Sequence, residues 1–182
     1  MWVIEPIELS DGIKLRLLAR DDAAPLALAY AKNRGHLSPW DPVRSEGFFT
    51  TAWQEGITAQ QLAGHAAGAS VPLVLATRTH IVGRITLSGI TRGAFESASL
   101  GYWLDEDLTG RGLMSSGIGH VVDIARHNLG LHRLQAETLL HNQASQRVLQ
   151  KLGFEEIGMA PNYLRIAGEW QDHRLFQRIL RD

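Results

Sequence analysis

Leu100-Gly101-Tyr102-Trp103-Leu104, then Asp105 to Thr109, then Gly110-Arg111-Gly112-Leu113-Met114-Ser115: this run of residues decides the fold. The first five are strand-like and the next five a loop. From Gly112 to Leu129 apolar residues fall at Met114, Ile118, Val121, Ala125 and Leu129, the spacing of one helical face, and Gly130 follows as a C-cap. A strand feeding a glycine-bracketed turn that opens directly into a helix suits an anion. The first amides of a helix have no intrahelical acceptor, and the helix dipole places partial positive charge there. Glycine lets the backbone approach a ligand with no Cβ in the way, and Arg111 offers a cation for phosphate. A pyrophosphate would fit. The same residues also read as a tight strand-to-helix connection. The third glycine of a dinucleotide fingerprint and the Lys-Ser/Thr of a triphosphate loop are absent, which disfavours nicotinamide and ATP.

Outward from this stretch, Lys14-Leu15-Arg16-Leu17-Leu18 alternates as a strand does after the turn Asp11-Gly12. Asp21-Asp22 opens a helix to about Ala31. Residues 33–50, with Pro39 and Pro42, read as a surface loop, and Thr51 to about Ala67 as a helix. Val71–Thr77 and Ile81–Leu87 suggest an antiparallel hairpin, and Ser97–Leu104 a third strand of that meander. On the far side come a strand over Arg133–Leu140, a helix over Gln143–Leu152 closed by Gly153, and strands over Glu155–Ile166 and Glu169–Leu180. The order predicts a mixed α/β (α+β) sheet in a single domain over residues 1–182.

Composition narrows the class. Apolar residues at 45% and charged residues at 20% are ordinary globular values, so disorder is not expected. A net charge of −1 gives no global field toward nucleic acid or an anionic membrane. Cysteine is absent, which removes disulfide and thiolate chemistry and fits a reducing cytoplasm. Met1-Trp2-Val3-Ile4-Glu5-Pro6 lacks the basic and apolar regions of a signal peptide. No apolar stretch approaches the roughly 20 residues of a membrane helix, and the eight histidines show no metal-ligand spacing. The expectation is a cytoplasmic protein without metal, membrane or direct nucleic-acid contact.

The sequence resembles the GCN5-related N-acetyltransferase (GNAT) superfamily, whose acyl-CoA signature is Gln/Arg-x-x-Gly-x-Gly/Ala. Within it, the chain is similar to the RimJ/RimL group of ribosomal-protein N-terminal acetyltransferases. The likeness rests on His36-Leu37-Ser38-Pro39-Trp40-Asp41-Pro42-Val43-Arg44, Thr91 to Phe95, Leu100-Gly101-Tyr102 and Gly110 to Met114. It continues through His132-Arg133, His141-Asn142, Ser145, Leu152 to Glu155, Tyr163-Leu164 and Gly168 to His173. This resemblance implies a mostly antiparallel sheet of six or seven strands, splayed between the fourth and fifth (97–104 and 133–140) and flanked by four helices. Acetyl-CoA is the implied cofactor. Its pantetheine arm would lie in the gap, pairing with backbone near Trp103 and Leu104. Its pyrophosphate would sit on the amides of Gly110, Arg111, Gly112, Leu113, Met114 and Ser115. Asp107 stands where the signature has Gln or Arg, and a carboxylate cannot donate to phosphate.

Acetyl transfer needs a neutral amine, a polarised thioester and a proton for the departing thiolate. Asn142 is a favourable N-cap, and the resemblance also makes it a coenzyme A contact. Ser145 shares the inward face with Val148, Leu149 and Leu152, and the resemblance makes it a general acid. The general base is unknown: family members place a carboxylate where this chain has Asn162, and Glu137, His141 and Asp172 are the other titratable candidates. Without a strong base an α-amine is the favoured acceptor. Its pKa near 7.7–8.0, against about 10.4 for lysine, makes deprotonation roughly 3 kcal/mol easier. The corresponding mechanism is direct attack, with solvent as proton sink. Trp40, Asn162 and Tyr163 are candidate substrate contacts, and Trp170 reads as core. The resemblance implies the amino end of a protein as acceptor, with a ribosomal protein as the group's example. A small-molecule amine (antibiotic, nucleotide conjugate or polyamine) and a non-catalytic CoA-binding module are the alternatives, and monomer and homodimer both remain open.

Overall fold

The computed structural model describes residues 3–181, so the reading of the chain's start lies outside the described residues at Met1 and Trp2. Alternation along Lys14–Leu17 makes strand β2, and the turn at Asp11-Gly12 folds a short β1 (Ile7–Glu8) back onto it. The strands β3 (Val71–Ala76), β4 (Ile81–Thr91) and β5 (Ser97–Leu104) form the expected meander. After it come β6 (Arg133–Leu139), β7 (Glu155–Ile166) and β8 (Glu169–Ile179). The eight strands make one sheet in the order β1-β2-β3-β4-β5-β6-β8-β7. The eighth strand, beyond the six or seven expected, is β1, too short to show a period of its own.

Every neighbouring pair is antiparallel except β5 and β6. That parallel pair is bonded only at Ser97, Ala98 and Ser99 against Arg133, Leu134 and Gln135. Past these residues β5 runs on to Leu104 and β6 to Leu139 with no pairing between them. A gap therefore opens inside the sheet between the two strands where the resemblance implies a splay.

Helices cover the sheet on both faces. Against one lie α4 (Leu113–Asp123), continued by a π-turn over Ile124–Asn128, and α5 (Gln143–Lys151). The stripe Met114, Ile118, Val121, Ala125 and Leu129 is buried, and packs with Ile85, Leu87, Leu100, Leu134 and Phe176 in the larger hydrophobic cluster. On the other face α1 (Ala23–Lys32) and α3 (Thr51–Ala66) pack with Val74, Ala76 and Ile81. Thr50 caps α3 by accepting from the Trp53 amide.

Residues 33–50 are more ordered than a surface loop. A short α2 (Arg34–Leu37) and a 3-10 turn over Glu46–Phe49 bury Leu37 and Phe48 in the second cluster. Pro39 and Pro42 prevent one long helix, but two apolar anchors on either side of them pin the segment down. The Ala167 amide donates to the Asp41 carbonyl, tying the segment to the β7–β8 hairpin.

Candidate active site

The N-terminus of α4 is open. Gly110 and Gly112 have φ of +77° and +76°, the left-handed region where a side chain is strained. A Cβ on either would meet nothing within 4 Å, so the backbone there faces free space. Gly112 is the N-cap and no side chain caps it; the first helical bond runs from the Ser116 amide to the Gly112 carbonyl. The amides of Leu113, Met114 and Ser115 thus have no carbonyl of the helix to bond. Leu113 and Met114 bury their side chains in the core, so only their backbone can serve a ligand. Arg111 is exposed and donates to the Asp107 carbonyl, which holds its guanidinium over the turn.

A buried tie positions this turn. Asp105, 3% exposed, accepts from Lys32 Nζ at 2.9 and 2.8 Å, from Asn33 Nδ2 at 3.1 Å and from the Asp107 amide at 3.1 Å. Burial alone would raise the Asp105 pKa. The bonds from Lys32, Asn33 and the Asp107 amide outweigh it and hold the carboxyl below its ordinary value. Lys32 also pairs with Asp107 at 2.7 Å, so the acidic residue at the signature's first position is turned toward α1. Asn33 Oδ1 accepts from the Glu106 amide, completing the clamp.

The gap has two chemically different faces. On the α4–α5 face Tyr102 Oη lies 2.6 Å from Ser145 Oγ. Burial pushes the Tyr102 phenol up to about 12, with the Ser145 bond opposing, so it remains protonated near neutrality. Asn142 caps α5 by accepting from the Ser145 amide at 3.1 Å, which fixes the serine at the start of the helix. On the opposite face stands Glu137, paired across the sheet with Leu175. Its neighbours in β6, Ala136 and Leu134, belong to the cluster under α4, so strand alternation puts Glu137 on the other side. Burial raises the Glu137 pKa, partly offset by a backbone hydrogen bond. The Tyr163 phenol is raised too, by burial first and by the charge of Glu137 second.

The remaining candidates separate. Asp172 Oδ1 accepts from the Asn162 amide, and Asn162 holds φ of +49° at an irregularity in β7, so both have hairpin roles. His141 stacks on Trp40 with centroids 5.3 Å apart. Tyr163 packs against His173 at 5.6 Å. Trp170 is 63% exposed, a correction to its reading as core: it sits beside the Ala167-Gly168 turn, outside both hydrophobic clusters. Trp103, expected through its backbone, also sends its ring into the α1 face, donating to Tyr30 Oη at 3.1 Å. Two cavities flank the Val43–Phe48 segment. One, of about 380 Å³, reaches from Tyr30 and Arg34 to Asp41 and Ala167; the other, of about 510 Å³, is floored by Arg84. Trp40 lines neither.

Sequence reasoning did not single out Lys32, Asn33, Asp105 or Arg84, and met Tyr102 only as a point of resemblance. A buried Asp at the end of an apolar strand, followed by a glycine turn, is the one local hint among them.

The architecture has solved counterparts. A Vibrio fischeri ribosomal-protein-S5-alanine acetyltransferase superposes with a TM-score of 0.94 at 32% identity, with 98% of each chain covered. Mycobacterium smegmatis RimJ in complex with CoA-disulfide gives 0.89 at 28% identity, covering 96% of this chain and 86% of that one. In sequence, the Escherichia coli (strain K12) [ribosomal protein uS5]-alanine N-acetyltransferase is 33% identical over 168 residues, 91% of this chain and 87% of that protein. The family model of the acetyltransferase (GNAT) domain matches residues 13–155, and the chain belongs to this acetyltransferase family and is an acyltransferase enzyme.

Proposed function

We propose that the chain is an acetyl-CoA-dependent N-acetyltransferase of the cytoplasm that acetylates the α-amino group of a protein, a ribosomal protein first among the candidates. The observation that carries this reading is the gap between β5 and β6, with a raised-pKa carboxylate on one face and a serine–tyrosine pair on the other. Pyrophosphate would rest on the amides from Gly110 to Ser115, with Arg111 as counter-charge. The pantetheine would follow the β5 edge at Trp103 and Leu104, with Asn142 at the thiol end. The acceptor amine would approach from the face that carries Glu137 and Tyr163.

Glu137 would take the ammonium proton, directly or through water. A carboxylate with a raised pKa is a stronger base than an ordinary one. The neutral amine then attacks the thioester carbonyl. The tetrahedral intermediate releases the remaining proton on nitrogen to solvent as it collapses to amide and thiolate, and the Ser145 hydroxyl, oriented by Tyr102, relays a proton from solvent to the thiolate. Glu137 replaces solvent as the first proton sink and keeps the preference for a weakly basic amine.

The acceptor side supports a peptide over a compact metabolite. Two cavities lie side by side against residues 41–49, sharing Tyr30, Val43, Arg44 and Phe48, which gives room along this segment for an extended peptide end. A thiol-release assay with acetyl-CoA, run against N-terminal peptides and a panel of small amines, tests the assignment. Turnover of peptides above every small amine is expected. Turnover of a small amine alone would reassign the acceptor, and the absence of a calorimetric signal with coenzyme A would remove the cofactor.

A further inference from the structure

Arg84 is 5% exposed, projects from β4 and lines the larger cavity. Its guanidinium donates to Tyr30 Oη at 3.3 Å and Gln61 Oε1 at 2.6 Å, both neutral, and its Nε has no partner. No carboxylate among the described residues pairs with it, and no acidic residue lines the cavity. The other cation there, Arg44, is already matched by Asp41 and lies over the Phe48 ring. Arginine does not deprotonate in proteins, so the floor of this cavity holds a desolvated positive charge without a counter-ion, an arrangement that is costly unless something answers it. Beside it, Gln54 is fully buried, gives its amide N–H to the Phe48 carbonyl, and leaves Oε1 without a donor. The cavity therefore asks for an anion next to an N–H group.

From the open cavity, the uncompensated Arg84 guanidinium and the orphaned Gln54 oxygen, we infer that this is a specificity pocket for an acidic side chain of the acceptor peptide. Arg84 holds the carboxylate and Gln54 a backbone N–H of the peptide. The inference rests on the peptide acceptor proposed above. The placement fits: Arg84 is the cross-strand partner of Trp103, and Tyr30 Oη receives hydrogen bonds from both side chains. The carboxylate would thus sit one cross-strand neighbour from the mouth of the gap, on the face opposite α4 and α5, within a few residues of the amine being acetylated. A planar fork that grips both carboxylate oxygens separates Glu or Asp from their amides sharply.

The test uses the full chain, acetyl-CoA and hexapeptides with free α-amines, identical except for Glu or Gln placed in turn at the second to fifth position. At one position the Glu peptide is expected to exceed its Gln twin at least tenfold in kcat/KM, mainly through KM. In Arg84→Met the ratio falls to within about twofold, and in Arg84→Lys, which keeps the charge without the fork, it falls part of the way. Peptides acetylated with no Glu preference at any position would overturn the inference and leave the proposed function standing. So would a preference that survives Arg84→Met. No peptide acetylated, with small amines turned over, would overturn both. The wild-type peptide comparison needs no variant to fold.

Discussion

The two sides of the β5–β6 gap are built from different material. On the proposed cofactor side the functional groups are backbone amides at the start of α4, set by two left-handed glycines that bracket Arg111. On the proposed acceptor side they are side chains, Glu137, Tyr163 and Arg84, delivered by three strands beside the folded segment 33–50. Backbone recognition tolerates side-chain drift and serves one invariant ligand. Side-chain recognition can change one residue at a time, which is where acceptor choice resides. Substitutions should therefore divide: those on the acceptor side and at the Ser145–Tyr102 pair should move kcat and peptide KM, those at the α4 turn the affinity for coenzyme A.

The largest effect is expected from Glu137→Gln. Loss of a general base typically costs 10²–10⁴-fold, and kcat/KM should fall about a hundredfold or more with coenzyme A affinity unchanged. The wild-type profile should show an acid limb with an apparent pKa above the ordinary glutamate value of about 4.3, because burial raises Glu137. In the variant that limb should vanish, and acceptors of low amine pKa should lose least. An unchanged pH profile would return the role of proton sink to solvent. Ser145→Ala should cost less, nearer tenfold in kcat, because a thiolate of pKa around 8.5 departs with little help. Tyr102→Phe should reproduce a fraction of that loss if the phenol acts by orienting the serine, and none if the 2.6 Å contact is only structural.

The unequal legibility of the two sides has a physical cause. Gly110, Gly112 and the stripe from Met114 to Leu129 act within one turn or one helix, so spacing along the chain carries their meaning. Even Asp107, which breaks the signature, was visible as a departure. Its resolution was not, because Lys32 lies 75 residues away. Tyr102 and Ser145 are 43 residues apart, and Arg84 and Tyr30 are 54. Nothing local marks such pairs, since alternation tells which face a strand residue takes but not what stands opposite. Trp170 shows the converse error: a large apolar residue in a strand reads as core, yet at the end of the outermost hairpin it has no cluster to join. Residues 33–50 read as a loop because the prolines are local signals, whereas the anchoring of Leu37 and Phe48 is tertiary.

A cofactor-side change sharpens the contrast. Gly112→Ala adds a methyl group that meets no atom within 4 Å, so its whole penalty is the left-handed backbone. That penalty is about 1–2 kcal/mol, and if it is spent on tilting the amides of α4 it should weaken coenzyme A binding by up to about thirtyfold. Peptide KM should hold. Weaker peptide binding instead would mean that the two sides are coupled through the turn.

The smallest expected effect lies where the sides meet, at Lys32. Its ammonium comes from α1, on the acceptor face, and holds Asp105 and Asp107 in the loop before the cofactor turn. The folded pKa of Asp105 is depressed. Its contribution to stability is therefore complete above the unfolded carboxylate value of about 3.9 and is lost as pH falls through the lower folded value. The pKa of Lys32 is raised, by its bond to Asp105 first and to Asp107 second, so its contribution is complete below about 10.4 and is lost as pH rises through the folded value. Lys32→Met should thus lower stability most across the middle of the pH range and flatten the profile at both ends. With the lysine side chain 55% exposed, screening keeps the loss on the order of 1 kcal/mol, a few degrees in Tm for a chain of this size. Asn33 and the Asp107 amide still hold Asp105 in the variant, so the loop should keep its place and coenzyme A affinity should change no more than a few-fold. A larger loss of affinity would show that the backbone site depends on this one tertiary ion pair, and that the division between the two sides is less clean than their construction implies.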